Sequence, residues 1–275
     1  MNTEFIELNI DDISKEAITR AGDIIKNGGL VAFPTETVYG LGGDGLNRES
    51  SMKIYEAKGR PSDNPLIIHI ADIKDLFTIT TNVSDKALAL AEKFWPGPLT
   101  MILKKADIVP YETTGGLDTV AVRMPDNKIA REFIKAAGGF VAAPSANLSG
   151  RPSPTKASHA KSDLDGRIDM ILDGGSSIIG LESTIVDMTE ETPIILRPGY
   201  ISMNTLSRVV GDVIYDAAIL EIGSNEPPRA PGMKYRHYAQ KGESSLAKGE
   251  REKGIKENKT QAENAIKSGE RVGII

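Results

Sequence analysis

The sequence predicts an α/β fold, an open sheet flanked by helices whose ligand site lies where strand ends converge. Three observations carry this expectation. Short apolar runs (LVAF at 30–33, LIIHI at 66–70, LTMIL at 99–103, TVAV at 119–122, and one beginning at Val141) alternate with segments of helical apolar spacing. Several of these runs end in a polar residue and are stopped by proline or glycine. The 275 residues, 40% of them hydrophobic, suffice for one large domain or two modest ones with a sizeable core.

Each element has a local reason. Asp12 or Ser14 caps a helix in which Ala17, Ala21, Ile24 and Ile25 recur at helical spacing, and Gly28 and Gly29 close it. The strand 30–33 follows, and Pro34 opens the loop TETVYGLGGDG. Its Gly40, Gly42 and Gly45 are spelled like a dinucleotide-binding loop, but residues 34–39 intervene between strand and glycines, and the next helix starts only after Asn47. The glycines are read instead as points of bend or close approach, with Thr35 and Thr37 lining the strand end. A helix over 51–58 leads into KGRPSDNP, where Lys58 and Arg60 sit on a constrained loop: a polyphosphate site, or equally a solvated pair at a helix C-terminus. His69 interrupts an otherwise apolar strand, which suits a satisfied core histidine or a ligand contact. Ser84 caps a helix to Phe94, WPGP turns into the strand 99–103, and Trp95 is read as packing. The strand 119–122 ends at Arg123 before Pro125, and Asp126 caps a helix over 128–137.

The run that begins at Val141 reads VAAPSANLSGRP. It ends in Pro144, Ser145 and Asn147, a rigid polar lip whose side chains serve a ligand or merely bond their own backbone. Thr155 caps a short helix, 170–172 is a strand, and GLESTIVDM sets Glu182, Ser183 and Thr184 at the head of another. Arg197 stands at a strand exit before Pro198 and Gly199, and 202–210 is a helix. From Gly223 the composition turns to NEPPRAPGMKYRHYAQ, an extended linker whose Lys234, Tyr235, Arg236, His237 and Tyr238 suit docking on the first domain. Beyond it lie a charged stretch, a helix over 259–267 and a strand-like RVGII, which looks like the opening of a further domain.

The charge balance, 38 acidic against 33 basic residues, gives a net −5 and no whole-protein field for nucleic acid or anionic membrane. No apolar run approaches the roughly 18 residues of a membrane span, and acidic residues occupy the N-terminus, so a cytoplasmic protein is expected. Zero cysteines exclude thiol catalysis, disulfides and Cys-type zinc sites, and three histidines make a protein-bound metal centre unexpected.

Six ordered motifs, FPTETVYGLG, KGRP, WPGPLT, SAN, GLESTIVD and RPG, resemble the threonylcarbamoyl-AMP synthase (YrdC-like) family over roughly residues 17–210. APGMKYRHYA resembles the linker of its long, two-domain form. The resemblance implies a YrdC-like twisted open sheet of mixed strands over 1–212, a linker over 213–240 docking on the active site, and an incomplete Rossmann-like C-terminal domain over 241–275. The implied reaction joins L-threonine, bicarbonate or CO2, and ATP into threonylcarbamoyl-adenylate and pyrophosphate. Mg2+ accompanies ATP, no organic cofactor takes part, and other proteins use the adenylate to modify tRNA. Carried onto matching positions, Lys58, Arg60 and Ser145 are catalytic. ATP is held by Arg60, Asn64, Thr119, Ser145, Asn147, Ser153 and Arg197, with Arg236 and His237 closing over it. Threonine lies against Thr37, His69, Arg123, Ala143 and Ser183.

The chemistry agrees with such a site. Once the amine has captured CO2 the carbamate is already an anion, so positioning and charge neutralisation outweigh a nucleophile or strong base. Two other readings remain: a non-catalytic RNA-binding module, whose phosphate contacts would weaken steeply with salt, and a carbamoyl-transfer enzyme of the hydrogenase-maturation kind, which would carry zinc-binding and acylphosphatase-like segments.

Overall fold

The computed structural model describes residues 2–220 and 251–273. The chain divides into two compact units, Met1–Ala239 and Gln240–Ile275.

The first unit is a mixed α/β structure. Its described strands are β1 (Glu4–Glu7), β2 (Val31–Phe33), β3 (Gly40–Asp44), β4 (Ile67–His69), β5 (Thr80–Thr81), β6 (Leu99–Lys105), β7 (Thr119–Arg123), β8 (Val141–Ala142), β9 (Met170–Asp173), β10 (Thr184–Asp187), β11 (Ile194–Arg197) and β12 (Ile214–Tyr215). They run in the order β1-β9-β2-β3-β8-β4-β7-β6-β10-β11-β12, with β5 paired to β6. Parallel pairs (β1 with β9, β4 with β7, β6 with β10) are interspersed with antiparallel ones (β2 with β3, β6 with β7, β10 with β11). The expected open mixed sheet is therefore present.

The glycine-rich stretch is where the fold departs most from the expected loop, for Gly40–Asp44 is a strand. It pairs β2 through Gly40, Leu41 and Gly42, then β8 through Gly43 and Asp44, and so joins the two halves of the sheet. Side chains there have no room: a Cβ on Gly42 would come 2.8 Å from Val141 Cγ1, and one on Gly43 3.0 Å from Ile54 Cδ1. The expectation of close approach holds, and close approach is what makes the stretch a buried strand.

Most helices form where their apolar spacing places them. Lys15–Lys26 is capped by Ser14 and buries Ala17, Ile18, Ala21 and Ile25; Asp85–Phe94 is capped by Ser84. The helix expected from Ser51 starts earlier, Arg48–Lys58, because the Asn47 side chain accepts from the amides of Glu49 and Ser50. Asn127, not Asp126, caps Lys128–Ala136. Thr155 does not cap: Ala157–Leu164 begins after Lys156 without a side-chain cap bond. Trp95 packs, its ring N–H donating to Leu99 O at 2.7 Å. In the second unit the expected helix is longer, Arg251–Lys267, and residues 271–273 of the strand-like tail are not in a strand.

Candidate functional site

The C-terminal ends of β4 and β7 lie side by side, with His69 in register with Arg123. They meet the segment after β2, the lip after β8, the approach to β10 and the exit of β11 around a cavity of about 390 Å³. Eight of the expected residues line it: Thr37, Arg60, His69, Arg123, Ala143, Ser145, Ser183 and Arg197.

The lip is held on two sides. Pro144, two residues beyond β8, does not end the pairing, because proline lacks only the N–H and its carbonyl still accepts. Leu41 N donates to Pro144 O at 2.9 Å and Ala146 N to Tyr39 O at 2.8 Å, with Ser145 bridged to Gly40. From below, Lys58 Nζ donates to Ser145 O at 2.5 Å and to Asn147 O. Lys58 is the last residue of its helix and 2% exposed, so it does not lie on an open loop or line the cavity. Burial, aided by the Arg60 charge, pushes its pKa well below the ordinary lysine value. Both amide hydrogens of Asn147 are used, Nδ2 donating to Leu148 O and Arg151 O, each at 2.8 Å, while Oδ1 accepts from Ser145 Oγ at 2.5 Å. Of the expected nucleotide set, Lys58 and Asn147 thus shape the lip while Ser145 and Arg60 face the cavity. Asn64 aims Arg60, taking Nη2 on Oδ1 at 2.6 Å and Nε on its backbone oxygen at 3.2 Å.

Ser183 and Arg197 form one unit across β10 and β11. Arg197 donates to Ser183 O from Nε at 3.1 Å and from Nη2 at 3.0 Å, and Ser183 Oγ lies 2.7 Å from Thr100 Oγ1. Ser153 lies beyond the lining and donates to Glu182 Oε1 at 2.5 Å; Glu182 itself lines the cavity. Thr119 is also outside the lining, since it starts β7 while Arg123 ends it. Four residue steps of strand separate their Cα atoms by about 13 Å. Arg236 and His237 fall outside the described residues.

The opposite wall is a set of defined acceptors around one guanidinium. Thr35 Oγ1 donates its single proton to Val38 O at 2.5 Å, so in the 2.9 Å contact between the two hydroxyls Thr37 is the donor. Thr37 Oγ1 can then only accept from a ligand. His69 Nδ1 lies 3.1 Å from Ile67 O; a carbonyl only accepts, so Nδ1 carries the proton and Nε2 is left as an acceptor. Burial, and then the Arg123 charge, push the His69 pKa down to about 3, while the backbone at Ile67 and Val141 pulls the other way. Ala143 also lines the cavity, its N–H donating to Ile67 O at 2.8 Å. Arg123, 4% exposed, brings the positive charge, and Glu36 sits 2.7 Å from its Nη2.

Glu36 and Glu182 were absent from the expected set. Glu36 had a legible signal, being the only charge in residues 29–43. Among the described residues no group of three or more His, Cys, Asp or Glu side chains could hold a metal ion, and no helix is long and apolar enough to cross a membrane.

The Sua5/YciO/YrdC family model, described as "Telomere recombination", matches residues 23–199, and the model described as "Threonylcarbamoyl-AMP synthase, C-terminal domain" matches 201–275. A threonylcarbamoyl-AMP synthase of Pyrococcus abyssi is 46% identical over 263 residues, covering 96% of this chain and 77% of that one. One of Bacillus subtilis is 49% identical over 237 residues, covering 86% and 68%. The chain belongs to the threonylcarbamoyl-AMP synthase family. Among solved structures of that family, P. abyssi Sua5 complexed with L-threonine superposes with a TM-score of 0.94 at 45% identity, over 99% of this chain and 80% of that one. The 23–199 match contains every residue lining the cavity.

Proposed function

We propose that the protein is an L-threonylcarbamoyladenylate synthase, with threonine on the Arg123 side of the cavity and the ATP phosphates on the Arg60 side. One observation carries the reading: a buried guanidinium flanked by the acceptors Thr37 Oγ1 and His69 Nε2 lies in the same cavity as Arg60, Ser145 and Arg197. This fits an amino acid, whose carboxylate pairs with Arg123 while its amine and hydroxyl donate to the acceptors.

The threonine amine takes up CO2, free or from bicarbonate, losing a proton to give a carbamate anion. A carbamate oxygen then bonds to the α-phosphorus of ATP, the bond from that phosphorus to the bridging oxygen breaks, and pyrophosphate leaves with the electron pair. Arg60 and Arg197 neutralise phosphate charge, and the rigid lip carrying Ser145 holds the two reactants in line. A Mg2+ ion supplies charge neutralisation on the triphosphate when it arrives with ATP. The residues fit a metal held chiefly by phosphates and water, with Glu182 the cavity carboxylate that would hold it from the protein side.

The reading keeps Arg236 and His237 of the linker among the nucleotide-binding residues, so Arg236→Ala should raise the ATP requirement. The domain limits 1–212, 213–240 and 241–275 belong to the same proposal, as do a cytoplasmic location and transfer of the adenylate to proteins that modify tRNA. The test is incorporation of labelled bicarbonate into an adenylate whose mass contains threonine and AMP. No label in that product with ATP and threonine both present would overturn the reading. Salt-sensitive capture of tRNA without adenylate formation would favour an RNA-binding module instead.

A further inference from the structure

Among the described residues five buried side-chain atoms have no hydrogen-bond partner, and three of them, Glu36 Oε1, Glu36 Oε2 and Arg123 Nη2, belong to one pair. Buried polar atoms without partners are few in native proteins, and a cluster of them asks for a reason. The pair is close, 2.7 Å between Oε1 and Nη2, yet not aligned as a hydrogen bond, and its side chains are 7% and 5% exposed. Arg123 is otherwise tethered weakly, by Nε to Gly97 O at 3.4 Å. Glu36 does not line the cavity, whereas Arg123 and the neighbours Thr35 and Thr37 do. The Glu36 backbone is anchored, its carbonyl accepting from Ile179 N at 2.8 Å. A carboxylate on an anchored backbone therefore stands against the guanidinium from outside the cavity lining.

We propose that Glu36 is a positioning residue for threonine recognition: it holds Nη2 of Arg123 from outside the cavity lining, so that the guanidinium meets the substrate carboxylate in a set orientation. The proposal rests on the reading of Arg123 as the carboxylate partner. It also settles a competition of effects. Glu36 repels an incoming carboxylate, so if it served only to balance charge, removing its charge would strengthen threonine binding. If it orients Arg123, removing it weakens binding, because a misplacement of about 1 Å at such a site costs up to about a hundredfold. The sign of the change separates the two roles.

The experiment measures equilibrium binding of L-threonine and, separately, of ATP to the full chain by calorimetry, and pyrophosphate release over a range of threonine concentrations. The variants are Glu36→Gln, which keeps the shape, and Glu36→Asp, which keeps the charge but withdraws it by one methylene. Both are expected to bind threonine about tenfold to a hundredfold more weakly, with the KM for threonine raised alike, ATP affinity unchanged within about twofold and kcat at saturating threonine largely kept. Should one variant not fold, the other is read alone, a native melting transition being the criterion. Threonine affinity equal to or tighter than wild type in a folded variant overturns the proposal, and so does an equal loss of ATP affinity. If the wild-type chain itself binds no threonine, the reading of Arg123 fails first, which distinguishes the two failures.

Discussion

Replacing Lys58 with methionine isolates what its ammonium does, because the side chain keeps an unbranched apolar stem as far as Cε and loses the terminal donor group. Two buried carbonyls, Ser145 O and Asn147 O, then lose a charged partner. At about 1–3 kcal/mol for each acceptor left unsatisfied, the loss is about 2–6 kcal/mol. An opposing effect is relief of the desolvation that already depresses the Lys58 pKa. No charge is left behind, so the middle of the range for the two carbonyls, about 4 kcal/mol, is the working figure. For a unit of this size each kcal/mol moves the midpoint by about 2–4 °C, which predicts a fall of about 8–16 °C. Calorimetric melting of wild type and Lys58→Met gives the shift, with pyrophosphate release measured well below both midpoints. Arg60→Ala, on the half-buried loop, should lose ATP-dependent activity with a smaller shift. If Lys58→Met melted within about 2 °C of wild type, the ammonium would not be what holds the lip.

Two further substitutions follow from the same geometry. Asn147→Asp is nearly isosteric but sets a carboxylate oxygen against Leu148 O and Arg151 O, so it should destabilise more than Asn147→Ala in urea unfolding; the reverse order would mean the amide orientation is wrong. For His69, a folded pKa near 3 lies below the unfolded value of about 6.5, so the native state binds fewer protons between them. Its contribution to stability is then complete above about pH 6.5 and is lost as pH falls towards 3, at up to about 1.4 kcal/mol per pH unit. Urea unfolding between pH 6.5 and 5 should show a steeper decline in wild type than in His69→Asn, while threonine affinity in that interval should show no inflection near 6.5.

Much of the site was readable from the chain because its residues sit at strand ends that punctuation marks clearly. Arg123 before Met124 and Pro125, Arg197 before Pro198, and Ser145 after Pro144 all line the cavity, as residue chemistry at a strand exit suggests. The separate roles of Lys58 and Ser145 were not readable, because both sit in polar motifs and only three-dimensional packing sends one ammonium under the lip. Asn147 can be assigned either way from sequence, and in the structure both of its amide hydrogens go to backbone carbonyls. Thr119 illustrates a limit of motif reading: it belongs to the same strand as Arg123 but to its opposite end. The glycine stretch reads as a loop since glycine is ordinarily depleted in strands, and tertiary contact with Val141, Phe33 and Ile54 overrides that preference. Glu36, hidden behind the lining, was legible only as a lone charge in an apolar run.

The most direct measurement of the central claim is pyrophosphate release from ATP by the full chain, with L-threonine and bicarbonate supplied together, singly or not at all. The structure predicts release only when both are present, with Arg123→Gln raising the threonine requirement and Arg60→Ala removing most of the activity. Release that proceeds equally without threonine and bicarbonate would contradict the account.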